Sequence, residues 1–269
     1  YFLVGKGDGT FESPIVLMND SMMNNLFKFN ARGLTIGDLD QDGTPEVLIS
    51  KGINPVSLYQ FEWDGTQLAL TQRDSMINKE AGGITLLTPT QAAIAVADGF
   101  LVYDQGSNSF TAHDSAIDPM VEPKEIVSGD FDGNGKPDIA YRQNLGGDII
   151  LWLADNSGVL AVSGRKVFNV TGSTDLRGLI AKDLNSDGKT DLITGDVTNK
   201  AGVVLISKGD GTFTQVSHPT AAITSEAVAV GDLNKDNQLD LVVINAFGPF
   251  DANMVDPATV NIFKGNGLF

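Results

Sequence analysis

The sequence predicts an all-β fold built from one repeated unit, a four-stranded antiparallel sheet. Three observations carry that expectation. Four nine-residue segments share one spacing of Asp, Asn and Gly, each lies between short runs of β-favouring residues, and no stretch of useful length shows the apolar period of a helix. With 269 residues, 42% of them hydrophobic, the chain can bury a substantial core. It contains no cysteine, which excludes disulfides and thiolate-ligated metals. Its 18 Lys and Arg stand against 34 Asp and Glu, for a net charge of −16. Nucleic acid is therefore not an expected partner, because phosphate binding needs a basic footprint. No run of apolar residues reaches the length of a membrane span.

The acids are clustered. Residues 38–46 read DLDQDGTPE, 130–138 DFDGNGKPD, 183–191 DLNSDGKTD and 232–240 DLNKDNQLD. Each segment has Asp at position one, Asp or Asn at three and five, and Asp or Glu at nine. Gly stands at position six in three of them, and Asn237, which tolerates a left-handed backbone, in the fourth. Three or four carboxylates within nine residues repel one another unless a cation lies between them. Side chains one, three, five and nine, with the carbonyl at seven, make an all-oxygen shell suited to a hard cation, and calcium fits it better than magnesium. The expected ligands are Asp38, Asp40, Asp42, Thr44 and Glu46; Asp130, Asp132, Asn134, Lys136 and Asp138; Asp183, Asn185, Asp187, Lys189 and Asp191; and Asp232, Asn234, Asp236, Gln238 and Asp240. Up to four Ca²⁺ ions are expected. A single such loop could be an acidic turn without metal; four in register carry the signal.

An EF-hand is excluded. Its loop needs a bidentate Glu at position twelve, where this chain has Ile49, Tyr141, Thr194 and Val243, and its flanks should be helical. Here the loops are preceded by Gly33–Gly37, Ile126–Gly129, Leu179–Lys182 and Ala227–Gly231. They are followed by Val47–Ser50, Ile139–Arg142, Leu192–Gly195 and Leu241–Asn245, all β-favouring. A third strand then leads into a Gly-rich hairpin, as in YFLVGKGDGTF (1–11), VVLISKGDGTF (203–213) and VNIFKGNGLF (260–269), with weaker counterparts at 61–68, 102–110 and 152–160. Asp-Gly and Asn-Gly predict tight type I′ turns there. The first interval between loops is about twice the others, and 82–110 keeps the strand rhythm with Pro-Thr-Gln in place of acids. A period of roughly 40–50 residues with four short strands is that of a β-propeller blade.

The strings GDLDQDGTPEVLI, GDFDGNGKPDIAY and KDLNSDGKTDLIT resemble FG-GAP/VCBS repeats, the calcium-binding blades of integrin α-subunit propellers and related bacterial and fungal proteins. The resemblance covers nearly the whole chain, although the Phe-Gly pair that names the family is missing before the loops. It implies a propeller that is usually seven-bladed. The expected organisation is a single propeller domain over 1–269: a half blade at 1–28, calcium-loop blades at 29–79, 121–172, 173–220 and 221–269, the last incomplete, and a degenerate blade at 80–120. So few strands cannot close a seven-bladed ring, so the expectation is a fragment or a ring completed by another segment.

In such a blade the calcium loops and the Asp-Gly turns share one face of the disc, and the irregular connections share the other. A partner is expected on that second face. Segment 246–259, with Phe247, Phe250 and Met254, is the leading contact, unless these residues only cover the disc edge. Two functions follow: a protein-interaction, adhesion or assembly module of the integrin-like kind, or a carbohydrate-binding lectin of the same propeller family. A third is a non-catalytic propeller domain of a larger polysaccharide-degrading enzyme. Weak calcium sites, with dissociation constants of roughly 10⁻⁴–10⁻³ M, suit an extracellular or periplasmic, secreted or cell-surface setting. No catalysis is expected. His113 and His218 read as surface residues without a nucleophile beside them. Trp63 and Trp152 read as interblade packing, with sugar-stacking platforms as the alternative. Asn-x-Ser/Thr sequons stand at Asn19 and Asn169.

Overall fold

The computed structural model describes residues 3, 5–14, 31–52, 55–63, 68–114, 123–143, 146–219, 227–245 and 259–264. Among the described residues, five sheets follow one another along the chain. The first holds β1 (Ala31–Gly37), β2 (Glu46–Lys51), β3 (Ser57–Trp63) and β4 (Leu68–Asp74). The second holds β5 (Ala81–Thr88), β6 (Gln91–Val96), β7 (Gly99–Asp104) and β8 (Ser109–Asp114). The third is β9 (Pro123–Gly129), β10 (Asp138–Gln143), β11 (Asp148–Ala154) and β12 (Leu160–Asn169), and the fourth β13 (Leu176–Lys182), β14 (Asp191–Asp196), β15 (Ala201–Ser207) and β16 (Phe213–Pro219). The fifth has three described strands, β17 (Ala227–Gly231), β18 (Asp240–Asn245) and β19 (Thr259–Phe263). Within every sheet, strands pair antiparallel with their sequence neighbours, so each sheet is a simple meander.

The sheets are stacked as propeller blades. The first strands lie side by side, β1 by β5, β5 by β9, β9 by β13 and β13 by β17. At that hub the backbones approach so closely that side chains do not fit. A Cβ on Gly33 would lie 2.6 Å from the Ile84 nitrogen, and one on Gly83 would lie 2.9 Å from the Lys124 carbonyl oxygen. The same strands carry register shifts at Ala31/Gly33 in β1 and Ala81/Ile84 in β5, which bend them at the hub.

Four apolar cores fill the gaps between successive blades, and the period-two pleat decides which residue enters which core. Leu48 and Leu58 of the first blade meet Ala92, Ile94, Leu101 and Tyr103 of the second. The alternate residues Ala93, Ala95, Phe100 and Val102 face the third blade, where Ile139, Tyr141, Ile150 and Trp152 meet them. Ala140, Ile149 and Leu151 then face Leu192, Val203 and Leu205, and Ile193 and Val204 face Leu241 and Val243. A strand buried on both faces needs apolar residues at consecutive positions, which is why ILWL and VVLI read as unbroken runs rather than alternating ones.

In the 80–120 blade, expected to lack an acid loop, the described residues 80–114 form β5–β8 with Pro89-Thr90 joining the first two strands. The Asp-Gly hairpins depart from the expected type I′ turn, which needs positive φ at both central residues. At 208–212, Lys208 N–H donates to the Thr212 carbonyl at 2.9 Å, and Gly209 and Gly211 are left-handed while Asp210 is not. Asp210 instead accepts hydrogen bonds from the Thr212 N–H and hydroxyl at 2.9 and 2.5 Å. The same arrangement recurs at 6–10, with Asp8 receiving Thr10 and Gly7 and Gly9 left-handed. The side-chain cap on the threonine, flanked by two glycines, makes a wider loop of KGDGT. Among the described residues no helix is long and apolar enough to cross a membrane.

Candidate metal centre

The four acid loops adopt one geometry. Each joins the first two strands of its blade, and each is organised by its own side chains. The position-one carboxylate receives the backbone N–H groups of positions five and six, and Asp130 also receives that of Gly133 at 2.7 Å. Asp38 takes those of Asp42 and Gly43 at 3.0 and 2.9 Å, Asp130 those of Asn134 and Gly135, Asp183 those of Asp187 and Gly188, and Asp232 those of Asp236 and Asn237. Position three accepts from the N–H of position five: Asp40 from Asp42, Asp132 from Asn134, Asn185 from Asp187 and Asn234 from Asp236. Position five accepts from the N–H of position seven, so Thr44, Lys136, Lys189 and Gln238 donate to Asp42, Asn134, Asp187 and Asp236 at 2.7 to 2.9 Å. The position-nine carboxylate reaches back to the N–H of position two: Glu46 to Leu39, Asp138 to Phe131, Asp191 to Leu184 and Asp240 to Leu233.

This curl needs left-handed backbone twice. Position six supplies it at Gly43, Gly135, Gly188 and Asn237, and position four at Gln41, Gly133, Ser186 and Lys235. The second requirement escapes sequence inspection, because Gln, Gly, Ser and Lys share no side-chain signal. Also unread in the sequence are bonds that tie one blade's loop to the next blade. Thr190 N–H donates to the Asp130 carbonyl at 2.8 Å, Asp130 N–H donates to the Thr190 hydroxyl at 3.0 Å, and the Ser207 hydroxyl donates to the Phe131 carbonyl at 2.8 Å. The signal is faint: loops 38–46 and 130–138 have Pro at position eight, which has no N–H to give, and loop 183–191 has Thr190.

The carboxylates converge fully in two loops. Asp38, Asp40, Asp42 and Glu46, and likewise Asp130, Asp132 and Asp138, can each present one oxygen within 4.8 Å of all the others in its group. In loop 183–191 a cation of the chain is already present, since Lys189 Nζ lies 3.0 Å from Asp187 Oδ2. That ammonium and the Lys189 N–H hold the Asp187 carboxyl below its usual range. In loop 232–240 the Asn234 amide donates to Asp236 Oδ2 at 2.8 Å.

All four position-nine carboxylates are buried. Burial, reinforced by the charges of Asp40 and Asp38, pushes Glu46 up to about 7 against the opposing Leu39 hydrogen bond. Asp138 is pushed up to about 7 by burial, with Asp132 and Asp130 adding to it, and Asp191 is raised for the same reasons. A buried carboxyl among like charges resists ionising unless positive charge enters. One further atom fits a bound cation: Glu46 Oε1 is buried and has no hydrogen-bond partner among the described residues. The residues therefore suit a hard divalent ion, and the two convergent clusters could hold one each.

The chain matches the FG-GAP-like repeat family over residues 130–194 and again over 183–243. Residues 130–243 are FG-GAP-like repeats. These repeats contain loops 130–138, 183–191 and 232–240, and the same geometry extends to 38–46. No curated protein matches the sequence. Among solved structures, the chain is similar to an Agrocybe aegerita lectin determined for its specific recognition of non-reducing terminal N-acetylglucosamine. The TM-score is 0.58 and the identity 15%, over 97% of this chain and 79% of that one. It is also similar to a Bacteroides uniformis protein assigned by name to the 6-phosphogluconolactonases, with a TM-score of 0.53 and 16% identity over 78% of this chain and 62% of that one. At such identities the likeness establishes the propeller fold alone.

Elsewhere the structure corrects the reading of the two histidines and bears out that of Trp152 as interblade packing. His113 and His218 are half-buried ring partners rather than surface residues. His113 stacks on Phe100 with centroids 4.8 Å apart and 5° between planes, and His218 lies 5.3 Å from Phe263. Trp152 is 1% exposed and edge-on to Phe100 at 5.3 Å, so it packs between the second and third blades and offers no platform to a sugar. The side chain of Trp63 and residues Phe247, Phe250, Met254 and Asn19 lie outside the described set. Asn169 is exposed at the end of β12, its amide donating to Asp148 at 2.8 Å.

Proposed function

We propose that the chain is a calcium-stabilised carbohydrate-binding propeller module working outside the cell. The observation that carries the carbohydrate reading is the similarity, over nearly the whole chain, to a lectin that recognises terminal N-acetylglucosamine. Calcium is supported by the two convergent carboxylate groups within a chain carrying FG-GAP-like repeats. Asp38, Asp40, Asp42 and Glu46 would hold one ion and Asp130, Asp132 and Asp138 another, with loops 183–191 and 232–240 as further sites. The ion supplies charge neutralisation and ties together the loop between the first two strands of the blades that carry one; the reading assigns it no catalytic part. A glycan array probed in calcium tests the carbohydrate reading. Binding to a defined set of glycans, with N-acetylglucosamine-terminated ones the first to inspect, is the expected result. Silence across the array, from protein shown to be folded, would overturn it.

Protein interaction or assembly is the second reading. It is favoured by apolar side chains left exposed on the outward faces of the first and fifth blades: Leu34 and Ile36 on β1, Ile244 on β18, and Val260 and Ile262 on β19. A silent array together with concentration-dependent self-association in sedimentation would favour this reading instead.

A further inference from the structure

We propose that Glu46 ties the folding of loop 38–46 to a bound cation, whereas loops 130–138 and 183–191 close on donors from their own blades. The inference rests on the calcium reading above and concerns how unequally the loops depend on the ion.

The difference lies at position nine. Asp138 spends both oxygens on backbone donors: Oδ2 accepts the Phe131 N–H at 2.8 Å, and Oδ1 accepts the Ala154 N–H at the end of β11 at 2.7 Å. Asp191 does the same, with Leu184 at 3.0 Å and Ser207, at the end of β15, at 2.8 Å. In both blades the carboxylate pins the loop to the third strand with no ion required. Glu46 takes only the Leu39 N–H, on Oε2 at 2.8 Å. Its extra methylene changes the reach of the carboxylate, and Oε1 is left buried without a partner among the described residues. An anionic oxygen shut away from both water and donors is costly. It belongs to the four-carboxylate group of Asp38, Asp40 and Asp42, the most acidic of the loops. A cation among those four carboxylates would do for Glu46 what the third-strand N–H does for Asp138 and Asp191. Loop 183–191 has in addition its own ammonium, Lys189 on Asp187. The first blade is therefore the calcium-gated blade, and the third and fourth hold their loops without it.

Hydrogen-exchange mass spectrometry on the full chain, in calcium and in chelator, tests this with wild type, Glu46→Asp and Glu46→Gln. In wild type, chelation should accelerate exchange over 38–51 by about tenfold more than over 130–143 and 183–196. Glu46→Asp, which restores the shorter side chain of the other loops, should remove that excess. Glu46→Gln should make 38–51 unresponsive to calcium while the other loops behave as in wild type. Equal acceleration in all three loops, or an undiminished excess in Glu46→Asp, would overturn the proposal. If either variant fails to fold, the wild-type comparison among loops still decides. Calorimetric titration of wild type separates the two levels: absence of calcium binding sinks the calcium reading and this inference with it, whereas calcium binding with a uniform exchange response sinks the inference alone.

Discussion

Left-handed residues at positions four and six shape every acid loop, and they carry that conformation at unequal cost. Gly188 has φ +82°, and no atom lies within 4 Å of where a Cβ would stand, so its requirement is conformational rather than steric. Gly188→Ala should lose about 1–2 kcal/mol in urea denaturation with calcium in excess. Asn237 has φ +66° at the equivalent place, and Asn237→Gly should change stability by no more than about 0.5 kcal/mol, because Asn already tolerates that region. A neutral Gly188→Ala would show that the loop does not hold its curl in solution. At this scale the sequence was legible where a residue's chemistry is its role. Asp at one, Asp or Asn at three and five, and an acid at nine announce themselves by spacing. Gln41, Ser186 and Lys235 do not, because their side chains take no part in what the backbone does there. Nor does the peculiarity of Glu46, which depends on whether its second oxygen meets a donor in the fold.

Strands were the most legible elements. ILWL and VVLI carry enough β-branched and aromatic residues to be read at once, and the antiparallel meander follows from their short connections. Which face of each strand meets which neighbour was not legible, since a strand apolar at every position shows no alternation. That ambiguity led to the open choice at Trp152, between packing and a sugar platform, which the second blade resolves by placing Phe100 and His113 against it. Trp152→Ala should cost about 3–5 kcal/mol, the range for emptying a large buried aromatic site. A glycan-binding defect in this variant at unchanged stability would contradict the packing role. The Asp-Gly turns differ from the tight form for a related reason: the dipeptide alone favours a tight turn, but the threonine that follows captures the Asp side chain and widens the loop.

At the scale of the molecule, much of the −16 charge is gathered in four loops of common geometry, and calcium should act on the whole fold through them. Chelation should lower the melting temperature; identical melts in chelator and in excess calcium would refute a structural role for the ion. The effect should depend on pH. Glu46 and Asp138 stand near 7 in the calcium-free fold, above the values of about 4.3 and 3.9 expected in the unfolded chain. A raised folded value favours the fold when the group is protonated. That contribution is complete below about pH 4 and is lost as pH rises through 7. Calcium needs the ionised form and offsets the loss. The rise in melting temperature on adding calcium should therefore grow between about pH 4.5 and 7.5, as scanning calorimetry would show, and a constant increment over that window would rule out these carboxyls as the linked groups.

The sequence by itself determined the repeat, the strand content and the spacing of the acids, because each is written in neighbours along the chain: alternate oxygens in a tight loop, β-favouring runs on either side, glycine where the backbone must turn. Only the tertiary structure decided which carboxylates meet, which are already satisfied, and which residues close the gaps between blades. Glu46 and Asp138 occupy the same place in the motif, yet one has a partner for each oxygen and the other does not. The donors that make the difference arrive from the far end of another strand. Burial and hydrogen-bond satisfaction are properties of what packs against a residue, and in a propeller that neighbour belongs to a distant strand or to the next blade.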